Sequence, residues 1–321
     1  MKRRSFLKLA LALSLAPTVR TVDALAAKGK PRIRIGYLPI TDHLSIIAAG
    51  RGNFERLELE PVKFSSWPEL AEALKAGAVE GAFALTPIGL SLRQKEVPIK
   101  VVLLGHRNGS VVTVKNDPAL AKAQDLKGKT IAIPSRFSTH NILIRKYLSD
   151  NGLDATNDVT LIEMAPPEMV NALATGRVQA FIVAEPFGAQ AEMQHVGKIQ
   201  ILSKDIWPDH ICCALNLRQN IIESEPAAVE ELVARLVDAG RFIESQPKEA
   251  ATLGTRYLGQ KPEVLEYVLT TPKGRVTFND LAPTPKDFAV TQDYLRTFGV
   301  SDGTVDLGAY LDDSFARKAG A

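Results

Sequence analysis

The chain has 321 residues, 45% of them hydrophobic and 23% charged, the balance of a soluble globular protein of about two domains. That composition excludes a disordered, collagenous or multi-span membrane protein. The formal charge of +3 sits at one end: residues 1–26 carry Lys2, Arg3, Arg4, Lys8 and Arg20 against Asp23, so the rest of the chain carries −1 and has no basic excess to recruit nucleic acid.

Residues 1–26 read as a cleavable export signal. A basic start precedes a short apolar run, Leu9 to Ala16, and Ala24-Leu25-Ala26 offers a small-x-small cleavage site. The run is far short of the roughly 20 residues that span a bilayer. Arg3-Arg4-Ser5-Phe6-Leu7-Lys8 resembles a twin-arginine signal, and no cysteine follows the cut to carry a lipid. The expectation is a periplasmic protein.

The next two hundred residues contain a duplication. Pro68-Glu69-Leu70, Ala73-Leu74, Gly77, Val79 and Gly81 return about 99 residues on as Pro167-Glu168-Met169, Ala172-Leu173, Gly176, Val178 and Ala180. Each copy predicts a helix with Pro and an acid in its first turn and Gly just past its end. A strand follows: Val79 to Leu85, then Val178 to Ala184. The match extends to Thr86-Pro87 with Glu185-Pro186, and to Lys100–Leu104 with Lys198–Leu202. Upstream, strand Ile33 to Ile35 leads to Thr41-Asp42-His43, and strand Thr130 to Ile133 leads to Ser138-Thr139-His140. Each half reads strand, loop, helix, strand, helix, strand, which predicts an α/β fold with a mostly parallel sheet in each half, flanked by helices.

Past the adjacent cysteines Cys212 and Cys213 the chain turns helical. Helices are expected to start at Pro226 and Pro262 and to run over Asp287–Phe298. The tail is placed on the first half. The expected division is 31–110 for the first part of lobe 1, 111–210 for lobe 2, and 211–321 for the return to lobe 1 and the C-terminal helices. Two neighbouring cysteines on an extended segment point to opposite faces and cannot bridge without strain.

In open parallel sheets, ligands bind beyond the carboxyl ends of the strands. That rule selects Leu38–His43, Ser65–Trp67, Thr86-Pro87 and Gly105–Asn108 in the first half. In the second it selects Ser135–His140, Ala165–Pro167, Glu185-Pro186 and Trp207–His210. Four of the five histidines, His43, His106, His140 and His210, fall on these loops, and His195 does not. Ser138 or Thr139 caps a helix expected to run to about Asp150, whose N-terminus suits an oxyanion. No nucleophile elbow, Walker loop, dinucleotide fingerprint or zinc-protease motif is present. The reading is a binding protein, not an enzyme, with no cofactor.

At this point the chain resembles the periplasmic solute-binding components of ABC importers for nitrate, sulfonates, taurine and bicarbonate. The resemblance runs from Ile33-Arg34-Ile35-Gly36-Tyr37 to about Phe298. It rests on Leu126-Lys127-Gly128-Lys129, Phe137–Asn141, Pro166-Pro167-Glu168-Met169-Val170, Glu185-Pro186-Phe187 and Trp207-Pro208-Asp209-His210. It implies two lobes closing on a small ligand, and a permease and ATPase as partners of a monomeric subunit. By position, Trp67 resembles a cleft tryptophan, Ser110 stands where the nitrate and bicarbonate binders have a glutamine, and His140 resembles their ligand-facing histidine. Three residues beyond His210, where those binders place Lys or Glu, this chain has Cys213, so neither solute carries over.

The candidate ligand-binding set is therefore Thr41, Asp42, His43, Trp67, Thr86, Ser110, Ser138, Thr139, His140, Glu185, His210 and Cys213, with no metal assigned. A metal shell at His43, His140 and His210 stays open, and Cys213 also reads as a buried structural thiol on an apolar strand. The alternatives are a binder of thiamin or flavin precursors, a ligand-sensing module, or an enzyme related to thiamin-pyrimidine synthase. The leader and the single Cys pair argue against the enzyme.

Overall fold

The computed structural model describes residues 29–321, so the expected leader lies outside the described residues. Two five-stranded sheets organise the chain. In the first half the strands are β1 (Arg32–Tyr37), β2 (Glu58–Lys63), β3 (Gly81–Leu85) and β4 (Ile99–Leu104). A two-residue strand, β5 (Arg107–Asn108), precedes β6 (Ser110–Lys115), β7 (Thr130–Ile133), β8 (Thr160–Glu163), β9 (Ala180–Ala184) and β10 (Gly197–Leu202). After β11 (Cys213–Arg218) only the short β12 (Val276–Thr277) remains, and it pairs with β5.

The sheet orders are β2-β1-β3-β11-β4 and, read the matching way, β8-β7-β9-β6-β10. They are the same order, element for element, so the sequence duplication is a structural one. Within each sheet one strand runs against the rest: β11 pairs antiparallel with β3 and β4, and β6 pairs antiparallel with β9 and β10. These two are the crossing strands. β6 leaves the first half to enter the second sheet, and β11 returns to complete the first.

Local sequence explains the elements. β3 and β9 read Gly-Ala-Phe-Ala-Leu and Ala-Phe-Ile-Val-Ala and are buried at every position, as central strands covered on both faces must be. The helices Trp67–Ala76 and Pro166–Ala174 begin at the repeated prolines. Gly77 and Gly176 follow them, each at φ +74°, a left-handed turn that glycine adopts without steric cost. Helix Thr139–Asp150 starts with the Ser138 hydroxyl accepting from Asn141 N at 3.0 Å.

The predicted strand–helix alternation lacked β2 and β8, the outermost strands of the two sheets. Both are half-exposed and only intermittently apolar, and β2 contains Pro61, which an edge strand tolerates. Their hydrophobic signal is correspondingly weak.

The tail contributes helices Pro226–Ser245, Pro247–Leu258, Pro262–Thr270 and Pro285–Thr297. Pro226–Ser245 and Pro247–Leu258 pack beside helix Leu44–Ala49 of the first half. The tail also reaches the second half: Tyr267 Oη donates to Glu192 Oε2 at 3.4 Å, and the Tyr294 and Trp207 rings meet edge to face at 4.8 Å. One apolar core accordingly runs through the first sheet and on to one face of the second, while the other face of the second sheet has its own.

Candidate functional site

The two sheets turn the carboxyl ends of β3 and β9 toward each other, and equivalent backbone contacts close each end. Thr86 N, just past β3, donates to Cys212 O at 2.8 Å; Glu185 N, just past β9, donates to Gly109 O at 2.9 Å. Cys213 faces Leu85 in the first sheet as Ser110 faces Ala184 in the second. Across the gap, Thr41 N donates to Glu185 O at 2.7 Å, and Thr139 Oγ1 donates to Cys212 O at 3.4 Å.

All twelve predicted positions are buried here, and they divide by what their polar atoms do. Several are spent inside the protein. Ser138 caps its helix. Thr86 Oγ1 donates to Cys212 O at 3.1 Å. Glu185 accepts from Ala189 N at 3.0 Å through Oε2 and from the Arg275 guanidinium through Oε1. Ser110 Oγ and His140 Nε2 share a hydrogen bond at 3.0 Å.

The others hold unused capacity. Thr41 Oγ1, both Asp42 oxygens, His43 Nε2, Trp67 Nε1, His140 Nδ1 and His210 Nε2 find no hydrogen-bond partner among the described residues. Buried polar atoms are paired in the great majority of cases, and leaving one unpaired costs about 1–3 kcal/mol. A run of such atoms from both halves makes this place the candidate ligand site. Hollows on the outer surface, such as one of about 230 Å³ beside Arg51, Arg235 and Phe242, gather none of them.

The histidines are held neutral. Burial pushes His43 and His140 down to about 3 and His210 down to about 4 from an ordinary 6.5. His43 is further oriented by Leu38 N, which donates to Nδ1 at 2.9 Å, and by the Trp67 ring, edge-on at 5.8 Å. His210 Nδ1 lies 2.9 Å from Trp207 O, so that nitrogen carries the proton and Nε2 is left an acceptor. Burial, with Cys212 and Glu185 nearby, pushes the Asp42 carboxyl well above its usual range. Burial also raises Glu185, outweighing Arg275. The site therefore offers neutral donors and acceptors rather than a free cation: Arg275 is paired, Arg136 is exposed, and Arg107 is bound to Asp280 O, Asp209 O and Asp287.

Three participants were outside the predicted set. Arg275 comes from the tail, where no motif marks it. His106, one of the four loop histidines, lies with Nε2 3.1 Å from Asp42 Oδ2. Cys212 supplies the carbonyl that Thr86 and Thr139 share. The expectation that the two cysteines face opposite ways also fails locally. Cys212 precedes β11, so strand alternation does not govern it, and both sulfurs lie within 4.8 Å of each other and of a His106 ring nitrogen. Both are free thiols.

Two α/β units of one topology, joined by two crossing strands and facing each other across buried polar loops, define the two-lobed periplasmic-binding-protein fold. The solved ligand-binding component of an ABC-type import system from Staphylococcus aureus, with zinc bound, superposes with a TM-score of 0.83 at 26% identity over 90% of this chain and 99% of that one. The periplasmic nitrate-binding protein NrtA from Synechocystis PCC 6803 shares the fold, with a TM-score of 0.81 at 18% identity over 91% of this chain and 88% of that one.

The chain belongs to the NMT1-like family, whose model matches residues 26–256. It is 26% identical to the nitrate/nitrite binding protein NrtA of Nostoc sp. over 71% of this chain and 59% of that protein. The chain spans less than two thirds of the length of the nitrate-type relatives it matches. Among the described residues, no helix is long and apolar enough to cross a membrane.

Proposed function

We propose that this chain is the periplasmic solute-binding subunit of an ABC importer and takes a small polar or anionic solute of the nitrate, sulfonate, taurine or bicarbonate class into the cleft between its lobes. The observation that carries this reading is the run of buried, unpartnered polar atoms at Thr41, Asp42, His43, Trp67, His140 and His210, drawn from both halves. The import systems named for the relatives support it.

Lobe 1 comprises 31–110 and 211–321 and lobe 2 comprises 111–210, with Gly109 and Ile211 at the crossings. An open form admits the solute. A solute touching both lobes favours the closed form by its differential affinity, and the loaded closed form docks on a membrane permease driven by an ATPase. His43 Nε2–H and Trp67 Nε1–H, with the N-terminus of helix Thr139–Asp150, donate to a small oxyanion, while His210 Nε2 accepts from a protonated group of the solute. Residues 1–26 direct export through the twin-arginine route and are then removed.

The test is thermal shift of the purified, EDTA-treated protein against nitrate, nitrite, bicarbonate, cyanate, sulfonates, taurine and thiamin or flavin precursors. A true solute at 100 times its Kd stabilises by about 2.7 kcal/mol. A response only to the precursors would move the assignment to that class. Silence across the panel, with and without added divalent metal, would remove the importer reading.

A further inference from the structure

The cysteine pair is not needed to explain a hydrogen-bonding cleft, and its surroundings suggest a use for it. We propose that Cys212, Cys213 and His106 bind one thiophilic divalent cation of the Zn²⁺ type, with Asp42 orienting the His106 ring. The proposal names a component of the cleft read above as the ligand site and so rests on that reading.

Three facts converge. First, a ring nitrogen of His106 and the two sulfurs lie within 4.8 Å of one another, all three residues buried. A tetrahedral ion with bonds of about 2.0–2.3 Å holds its donors roughly 3.3–3.8 Å apart, so side-chain shifts on the order of 1 Å bring this trio onto a metal. Second, neither ring nitrogen of His106 and neither oxygen of Asp42 has a hydrogen-bond partner among the described residues, although all are fully buried. Third, Asp42 Oδ2 lies 3.1 Å from His106 Nε2. A small rotation makes Nε2–H donate to the carboxyl and leaves Nδ1 for the metal, the carboxylate–histidine–metal arrangement that fixes tautomer and ring direction. Gly109 permits this packing: a Cβ there would lie 2.4 Å from Asp42 Oδ1 and 3.2 Å from His106 Nδ1.

The donor set selects the metal class. Two sulfurs and an imidazole suit Zn²⁺ and exclude Mg²⁺ and Ca²⁺, which take oxygen. On binding, each thiol releases its proton to solvent as its sulfur donates a lone pair to the ion, and no oxidant or reductant is involved. Two thiolates cancel the charge of the divalent ion, which suits a dry interior. Three protein ligands leave the fourth position for water or for the solute.

The experiment is a Co²⁺ titration of the reduced, metal-free protein. The expected result is one equivalent of Co²⁺ bound with a thiolate-to-cobalt charge-transfer band and the visible bands of four-coordinate cobalt. Cys212→Ser with Cys213→Ser abolishes the charge-transfer band, Asp42→Asn weakens binding by about 10–100-fold, and His195→Asn, at an exposed residue away from the trio, changes nothing. Absence of the band, or its survival in the double variant, overturns the proposal. If the double variant does not fold, X-ray absorption on the Zn²⁺-loaded wild type decides: two sulfur neighbours at about 2.3 Å support the site, and none ends it. The solute panel is run both without metal and with Zn²⁺ bound, so cobalt binding with no solute response in either form sinks the importer reading alone. The reverse outcome sinks the metal site alone.

Discussion

Arg275, on the C-terminal segment, forms a buried ion pair with Glu185, 90 residues earlier, at the end of the central strand of the second sheet. Neither side chain is more than 1% exposed. Arg275 Nη1 also donates to Thr271 O at 2.8 Å, and its guanidinium lies 5.0 Å from the centre of the Tyr267 ring. Arg275 thus ties the tail to the end of β9, beside the Tyr267 and Tyr294 contacts to the second half.

Removing one partner of such a pair strands a charge. Arg275→Ala is expected to destabilise the protein by about 3–5 kcal/mol. Arg275→Met combined with Glu185→Gln, which removes both charges, should recover most of that loss. Urea unfolding of the three variants measures it, and equal losses in the single and double variants would mean that the pair is not what holds this contact.

Acid should weaken the fold before the carboxylates titrate. His43, His140 and His210 stay neutral in the folded protein down to about 3, 3 and 4, and His106 is likewise pushed well down by burial. Unfolded, each protonates near 6.5, so between pH 6.5 and 4 the unfolded chain binds more protons and stability falls as pH falls. Each histidine contributes at most about 1.4 kcal/mol per pH unit. Asp42 and Glu185, with raised values, act oppositely: their contribution is present at low pH and lost as pH rises through their folded values. Four imidazoles outnumber two carboxyls, so Tm should drop between pH 7 and 4.5. His140→Asn should make that drop shallower; an unchanged pH profile would show that His140 is not held neutral.

Gly109 sits at φ +91°, and an added Cβ would meet Asp42 Oδ1 at 2.4 Å. Gly109→Ala should therefore cost more than the roughly 1–2 kcal/mol of the backbone conformation alone, and should abolish the solute response by displacing Asp42. Gly152→Ala is the control: φ is +77° there with no atom within 4 Å, so only the conformational cost applies. Melting curves of the two variants should separate, and overlapping curves would show that Asp42 accommodates the methyl.

Ser138 and His140 stand two residues apart and should behave differently. The Ser138 hydroxyl is committed to Asn141 N, so Ser138→Ala should cost about 1 kcal/mol of stability and keep the solute response. His140 leaves Nδ1 unpartnered, so His140→Asn should lose the response while circular dichroism stays native. The substitution is to Asn because the site is fully buried and Ala would leave a cavity. A retained response in His140→Asn would take that residue out of the ligand's reach.

Much of this architecture could be read from one sequence because it is written twice. Helices opening at Pro68 and Pro167, closed by Gly77 and Gly176 and followed by all-apolar strands ending at Leu85 and Ala184, obey local rules of propensity and capping that need no distant partner. The topological rule for parallel sheets then selected the loops that hold the buried polar atoms. The edge strands β2 and β8 escaped because half-exposed edges carry little periodic signal.

The amino-acid sequence by itself determined the two α/β halves, their helix ends and the loops at their strand termini, since these follow from short-range backbone preferences and the burial of apolar runs. Only the tertiary structure decided which polar atoms are spent and which are left over. Ser138 and Thr86 look as available in sequence as His43 does, but one caps a helix and the other bonds to Cys212 O. Arg275 on Glu185, and the two sulfurs beside His106, are likewise products of the return crossing and the tail. Hydrogen bonding and charge pairing depend on separations of about 3 Å between residues a hundred positions apart, and no local pattern encodes that distance.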